Sequence, residues 1–130
     1  MKKIFSLFIT IITAFTVANA QQKATWKEMD AFHEVMAKTF HPAEEGKLEP
    51  IRTHSQEMFD KATAWESSAA PEGFNKEAVK KSLKKLVSSS KEINKLVKAN
   101  AVDNILKEKL SALHDVFHEI MEKCEKEDHH

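Results

Sequence analysis

The sequence predicts an all-α protein, an antiparallel up-down-up-down four-helix bundle that follows a cleaved signal peptide. Three observations predict it. Glycine and proline are scarce, 2 and 3 in 130 residues, too few for the turns of a β-sandwich or barrel. Apolar residues recur at alternating steps of three and four along four stretches, the period of one helix face. The segments between those stretches are short and polar, which sets successive helices side by side in opposite directions. A chain of this length is expected to bury one core.

The elements follow in order. Lys2 and Lys3 precede the apolar run from Ile4 to Val17, and Ala18-Asn19-Ala20 stands behind it. A basic start, a greasy stretch and a small-x-small end make residues 1–20 a secretory signal peptide. The run is short for a membrane span of about 20 residues, so it is read as removed rather than retained as an anchor. Gln21–His130 is then the domain, with two more acidic than basic groups. It is expected in the periplasm or the cell exterior, with no membrane span.

Thr25 and Glu28 form a capping box before a first helix. Its stripe is Trp26, Met29, His33, Met36 and Phe40, and Pro42 is expected to stop it. Pro50 suits the first turn of a second helix with the stripe Ile51, Ser55, Met58, Ala62 and Trp65. After the loop 67–73, a third helix is expected over about 75–98, striped by Val79, Leu83, Leu86, Ser90, Ile93 and Val97. Asn100 is its C-terminal cap. Asp103 caps a fourth, striped by Leu106, Leu110, Leu113, Phe117, Ile120 and Cys124. The polar tail from Glu125 is expected to fray.

Composition narrows the function. A single cysteine excludes a disulfide framework, a cysteine-built zinc site and a thiol redox pair. Zero net charge argues against a nucleic-acid partner. The sequence has no glycine-rich phosphate loop and no nucleophile with a base at a recognisable spacing, so no enzyme is expected. Lys76, Lys80, Lys81, Lys84, Lys85, Lys91, Lys95 and Lys98 crowd the third helix. They read as a solvated face, or as a surface for an acidic partner or lipid headgroups.

The chemistry lies in an internal match. Residues 29–36 read MDAFHEVM and 114–121 read HDVFHEIM, identical at 30/115, 32/117, 33/118, 34/119 and 36/121. Residues i and i+4 share a helix face, so Met29 with His33 and His114 with His118 are ligand pairs. On helices 1 and 4 they face each other across one seam. With helix 1 ending near Phe40, Met29 lies about 16 Å below that end and His114 about 15 Å into helix 4. Met29, His33, His114 and His118 are therefore the expected metal ligands. His54 and Met58 are further candidates on helix 2, and Asp30 and Asp115 are outer acceptors for imidazole N–H groups. Imidazole with thioether suits copper; imidazole with carboxylate suits zinc, and copper is favoured. Methionines at core spacing also read as packing. His41 reads as a cap against the helix dipole. Cys124 is open to pairing between chains, packing or ligation.

A secreted four-helix bundle with Met29 early in helix 1 and His114 or His118 late in helix 4 resembles the periplasmic four-helix-bundle cytochromes, the b-type and c-prime superfamily. The resemblance implies haem b held by Met29 and His118, or Met29 and His114, as axial ligands in an electron carrier. Trp26, Phe32, Phe40 and Phe117 would line the haem slot, with Ser89 and Ser90 leaving room opposite. The c-prime attachment motif Cys-x-x-Cys-His is missing. The surplus histidines favour a directly bound ion, with a role in metal storage, buffering or delivery. A module without cofactor, acting through an envelope partner or a homodimer, is the remaining alternative.

Overall fold

The structure is a computed structural model that describes residues 25–123. Among them it is all-helical: α1 (Lys27–Glu44), α2 (Glu49–Ser67), α3 (Lys76–Lys98) and α4 (Asp103–Lys123). The signal peptide, Cys124 and the tail lie outside the described residues. None of the described helices is long and apolar enough to cross a membrane. The helices form a closed ring of neighbours, α1 on α2, α2 on α3, α3 on α4 and α4 on α1, and the α1–α4 seam is the sparsest of the four.

The first helix corrects two expectations. Thr25 makes no cap; the N-cap residue is Trp26, extended and without a capping side-chain hydrogen bond. Tertiary packing claims that residue instead. Trp26 is 2% exposed, set edge-on to Trp65 and Phe74 at 5.7 and 5.2 Å, and its indole N–H donates to Ser68 Oγ at 2.8 Å. Pro42 lies inside α1 rather than ending it. It costs the last turn one hydrogen bond, because proline has no N–H to donate. The stop comes at Gly46, φ +83°. There Gly46 N–H donates to the Ala43 carbonyl and Lys47 N–H to the Pro42 carbonyl, at 3.0 and 2.9 Å, the paired bonds of a Schellman cap.

The same device closes α3. Asn100 takes φ +53°, its N–H reaching the Val97 carbonyl and that of Ala101 the Leu96 carbonyl. Asparagine tolerates this left-handed conformation better than other non-glycine residues. Pro50 stands in the first turn of α2, as the sequence predicts, and Asn75, expected as the first residue of helix 3, caps α3 instead, through Ala78 N–H at 3.2 Å. Asp103 does not cap α4. It is the first helical residue, and its carboxylate accepts from Arg52 Nη2 at 2.7 Å; Val102 supplies the first helical carbonyl.

The predicted stripes of α2, α3 and α4 are the buried ones, apart from Val97, which is half-buried, and Cys124, which is not described. That of α1 is turned. Its core line is Phe32, Val35, Met36, Thr39 and Ala43, while Met29 and Phe40 flank the core and His33 is exposed. Both lines keep helical spacing, but Phe32, Val35 and Ala43 are apolar where His33 is not, and burial follows them. Between α2 and α3 a polar lock sets the register: Ser55 Oγ donates to Asn94 Oδ1 at 3.0 Å, and Asn94 Nδ2 to Gln56 Oε1 at 2.8 Å. Buried groups satisfied in this way specify one alignment over others.

Ser90 Oγ is buried with no hydrogen-bond partner. An unsatisfied buried hydroxyl costs about 1–3 kcal/mol. Ser90→Ala is therefore expected to stabilise the domain by about 1 kcal/mol, raising Tm by roughly 4–8 °C in a thermal melt. A lowered Tm would mean that the hydroxyl is hydrogen-bonded in solution.

Candidate metal centre

The α1–α4 seam is built from aromatic and imidazole rings. Phe32 meets Phe117 at 5.9 Å between centroids, so one matched position of the internal repeat touches its counterpart. His33 stacks on Phe117 at 5.1 Å and 10°. Further along, Phe40 stacks on His114 at 3.8 Å and 5°, and Ser111 Oγ donates to Glu44 Oε1 at 3.1 Å. Residue numbers rise along α1 as they fall along α4.

On α4 the i, i+4 pair converges. His114 Nε2 and His118 Nε2 stand 3.1 Å apart. Two nitrogens bound to one tetrahedral ion at about 2.0–2.1 Å stand about 3.3 Å apart. The separation of the two nitrogens is close to that of a chelating pair. One ring donates an Nε2–H to the lone pair of the other; both cannot donate. His118 Nδ1 lies 3.4 Å from Glu122 Oε1. Glu122 can accept an Nδ1–H, which leaves the Nε2 lone pair of His118 free for a ligand. Phe40 packs flat on His114 and fixes that ring's plane.

The electrostatics suit the same task. The His114 pKa is lowered, first by burial and then by His118; His41 lowers it further, while Asp115 and Glu44 oppose the shift. Desolvation disfavours the imidazolium, and a neutral imidazole is the form that binds metal.

The other expected ligands are not brought to this point. Phe40, not Met29, covers His114. Met29 lies eleven residues before Phe40, about 16 Å of helical rise, half-buried against the core. The register estimate took α1 to end near Phe40 and its end to be level with the start of α4. In fact α1 runs to Glu44, and Glu44 is level with Ser111, well inside α4. The repeat itself explains the divergence: in helices of opposite direction, matched positions meet only where Phe32 faces Phe117. Met29 and His114, three residues earlier on each, move toward opposite ends. His33 shares the seam with Phe117 beside it. His54 is elsewhere, its Nδ1 2.9 Å from Glu57 Oε2, and Glu57 also accepts from Lys38 Nζ at 3.1 Å. Those two partners hold the Glu57 carboxyl below its ordinary value, the Lys38 hydrogen bond first and His54 next. Met58 is fully buried in the core. Asp30 and Asp115 are exposed, Asp115 near enough to act on His114.

The sequence reading missed Glu122 and Glu44, and took His41 only as a cap. Glu122 had a signal, four residues beyond His118. Glu44 acts on His114 only because α1 continues past Pro42. Among the described residues no group of three or more His, Cys, Asp and Glu side chains is gathered as a metal cluster. Comparison of the chain with protein-family models, curated proteins and solved structures finds no match.

Proposed function

We propose that this is a secreted, non-catalytic metal-binding protein of the cell envelope, built as an antiparallel up-down-up-down bundle. It holds one transition-metal ion on His114 and His118. The observation that carries this reading is the convergence of the two Nε2 atoms at 3.1 Å. With Met29 apart, the thioether argument for copper loses its footing at this pair. Imidazole with nearby carboxylates, Glu122 and Glu44, suits zinc as well as copper. A pair that includes a half-exposed ring suits exchange, and hence buffering or delivery, better than permanent burial; the His118 side chain is 45% exposed.

Haem b fits this packing less well. Phe32, Trp65 and Phe117 lie within 5.6–5.9 Å of one another and are fully buried. They fill the space between the helices of Met29 and His118, where a macrocycle would lie.

The test is metal analysis of the protein purified from its native compartment, followed by acid titration of the loaded form. One equivalent of zinc or copper is expected. His114 has a depressed pKa in the fold, so its contribution to stability is full above the ordinary imidazole value of about 6.5. It is lost as pH falls through the depressed value. Metal release is therefore expected only as pH falls through that depressed value, where protons compete for the imidazole nitrogen. Iron with a strong violet absorption band would favour haem instead. Protein that carries no metal and takes none up would refute the reading.

A further inference from the structure

The lysine row of α3 and the apolar cluster around Trp26 meet in a cleft that the metal reading leaves unused. It has a volume of about 370 Å³ and lies between the end of α2, the segment 68–70 and the first half of α3. Trp26, Val79 and Leu83 form its apolar floor, each only 2–3% exposed, half-buried Ala70 adds to it, and Lys76, Lys80 and Lys84 stand on its α3 side. Those lysines are spaced by four, so they form one line along the helix, about 6 Å apart. Their methylene stems extend the apolar floor while their ammonium groups stay at the water edge. Glu66 lines the other side, which leaves the α3 side as the place for a negative group.

The floor is preformed. Trp26 is held through its N–H to Ser68 Oγ at 2.8 Å, and Ser68 Oγ donates in turn to the Trp65 carbonyl at 2.7 Å. The volume is at the small end of the range for ligand pockets, about 300–1,000 Å³, enough for one alkyl chain and not for a two-chain lipid. An apolar trough with cations along one edge is complementary to a molecule that has one apolar chain and one anionic head. We propose that this cleft binds a single-chain anionic amphiphile of the fatty-carboxylate class. The proposal is independent of the metal reading.

The test is titration of the whole protein with sodium decanoate, and with decan-1-ol as its uncharged analogue, followed by tryptophan fluorescence and calorimetry. Decanoate is expected to saturate with a Kd in the micromolar range, and decan-1-ol to bind at least about tenfold more weakly. The variant Lys80→Glu/Lys84→Glu changes only exposed side chains and is expected to lose at least about tenfold in decanoate affinity. Ala70→Trp, which fills the cleft, is expected to abolish binding with an unchanged helical spectrum. The proposal is overturned if decanoate shows no saturable binding up to about 1 mM. Equal binding of decanoate and decan-1-ol overturns it too, as does undiminished binding by the charge-reversed variant.

Discussion

Replacing His114 and His118 together by alanine is expected to lower the affinity for Zn²⁺ or Cu⁺ at least about a hundredfold, because both nitrogens of the site are lost and no other imidazole converges there. Competition with a chromophoric chelator measures this directly. The helical spectrum should persist, since both side chains are on the flank of α4 and not in its buried line of Leu106, Leu110, Leu113, Phe117 and Ile120. Two further variants make the result specific. Glu122→Gln keeps both histidines but removes the carboxylate charge 3.4 Å from His118 Nδ1, and a loss of about tenfold is expected. Met29→Leu should change affinity by less than about threefold, a difference under 1 kcal/mol. A loss with Met29→Leu as large as with the double histidine variant would restore the four-ligand arrangement expected from sequence and refute the seam geometry.

Phe32→Ala is expected to give the largest loss of stability. Phe32 has no exposed surface and touches Trp65 on α2 and Phe117 on α4 at 5.6 and 5.9 Å. Its removal takes away both contacts and leaves a cavity where three helices meet, at a cost of about 3–5 kcal/mol. In a domain of this size that lowers Tm by roughly 15–30 °C. Chemical denaturation should show the same loss at an unchanged slope. A cost below about 1 kcal/mol would mean that the three rings do not pack together as described.

These two expectations rest on different grades of legibility. The four helices could be read because their stripes repeat at helical spacing over many turns, and the stripe of α2, from Ile51 to Trp65, is the buried one. In α1 two stripes were available, one through Phe32 and one through His33. Only the partners decide between them: Trp65 and Phe117 receive Phe32. Caps failed where tertiary packing outbids local chemistry, as at Trp26, or where a charge finds a better partner, as at Asp103 with Arg52. Phe74 fell between the loop 67–73 and the third helix and was given no role, yet it is 1% exposed, because it closes over Trp26. The His114–His118 pair was legible, since its geometry is local to one helix. The distance to Met29 was not, because it depends on how far one helix slides against another, and each residue of slide moves a side chain by about 1.5 Å.

The ring stack of Phe40 on His114 joins the first helix to the last. It therefore has a place in the order of assembly. A chain that emerges from its N-terminus can form α1, α2 and α3 while the flanks of α1 and α3 still wait for α4. The face of α1 that carries Phe32, the partner of Phe117, stays adhesive until then. Docking of α4 ends that exposure and, in the same event, presses His114 against Phe40. Completion of the fold and the fixing of the His114 ring are one step, so a chain cut before Asp103 would be aggregation-prone and would lack the seam altogether.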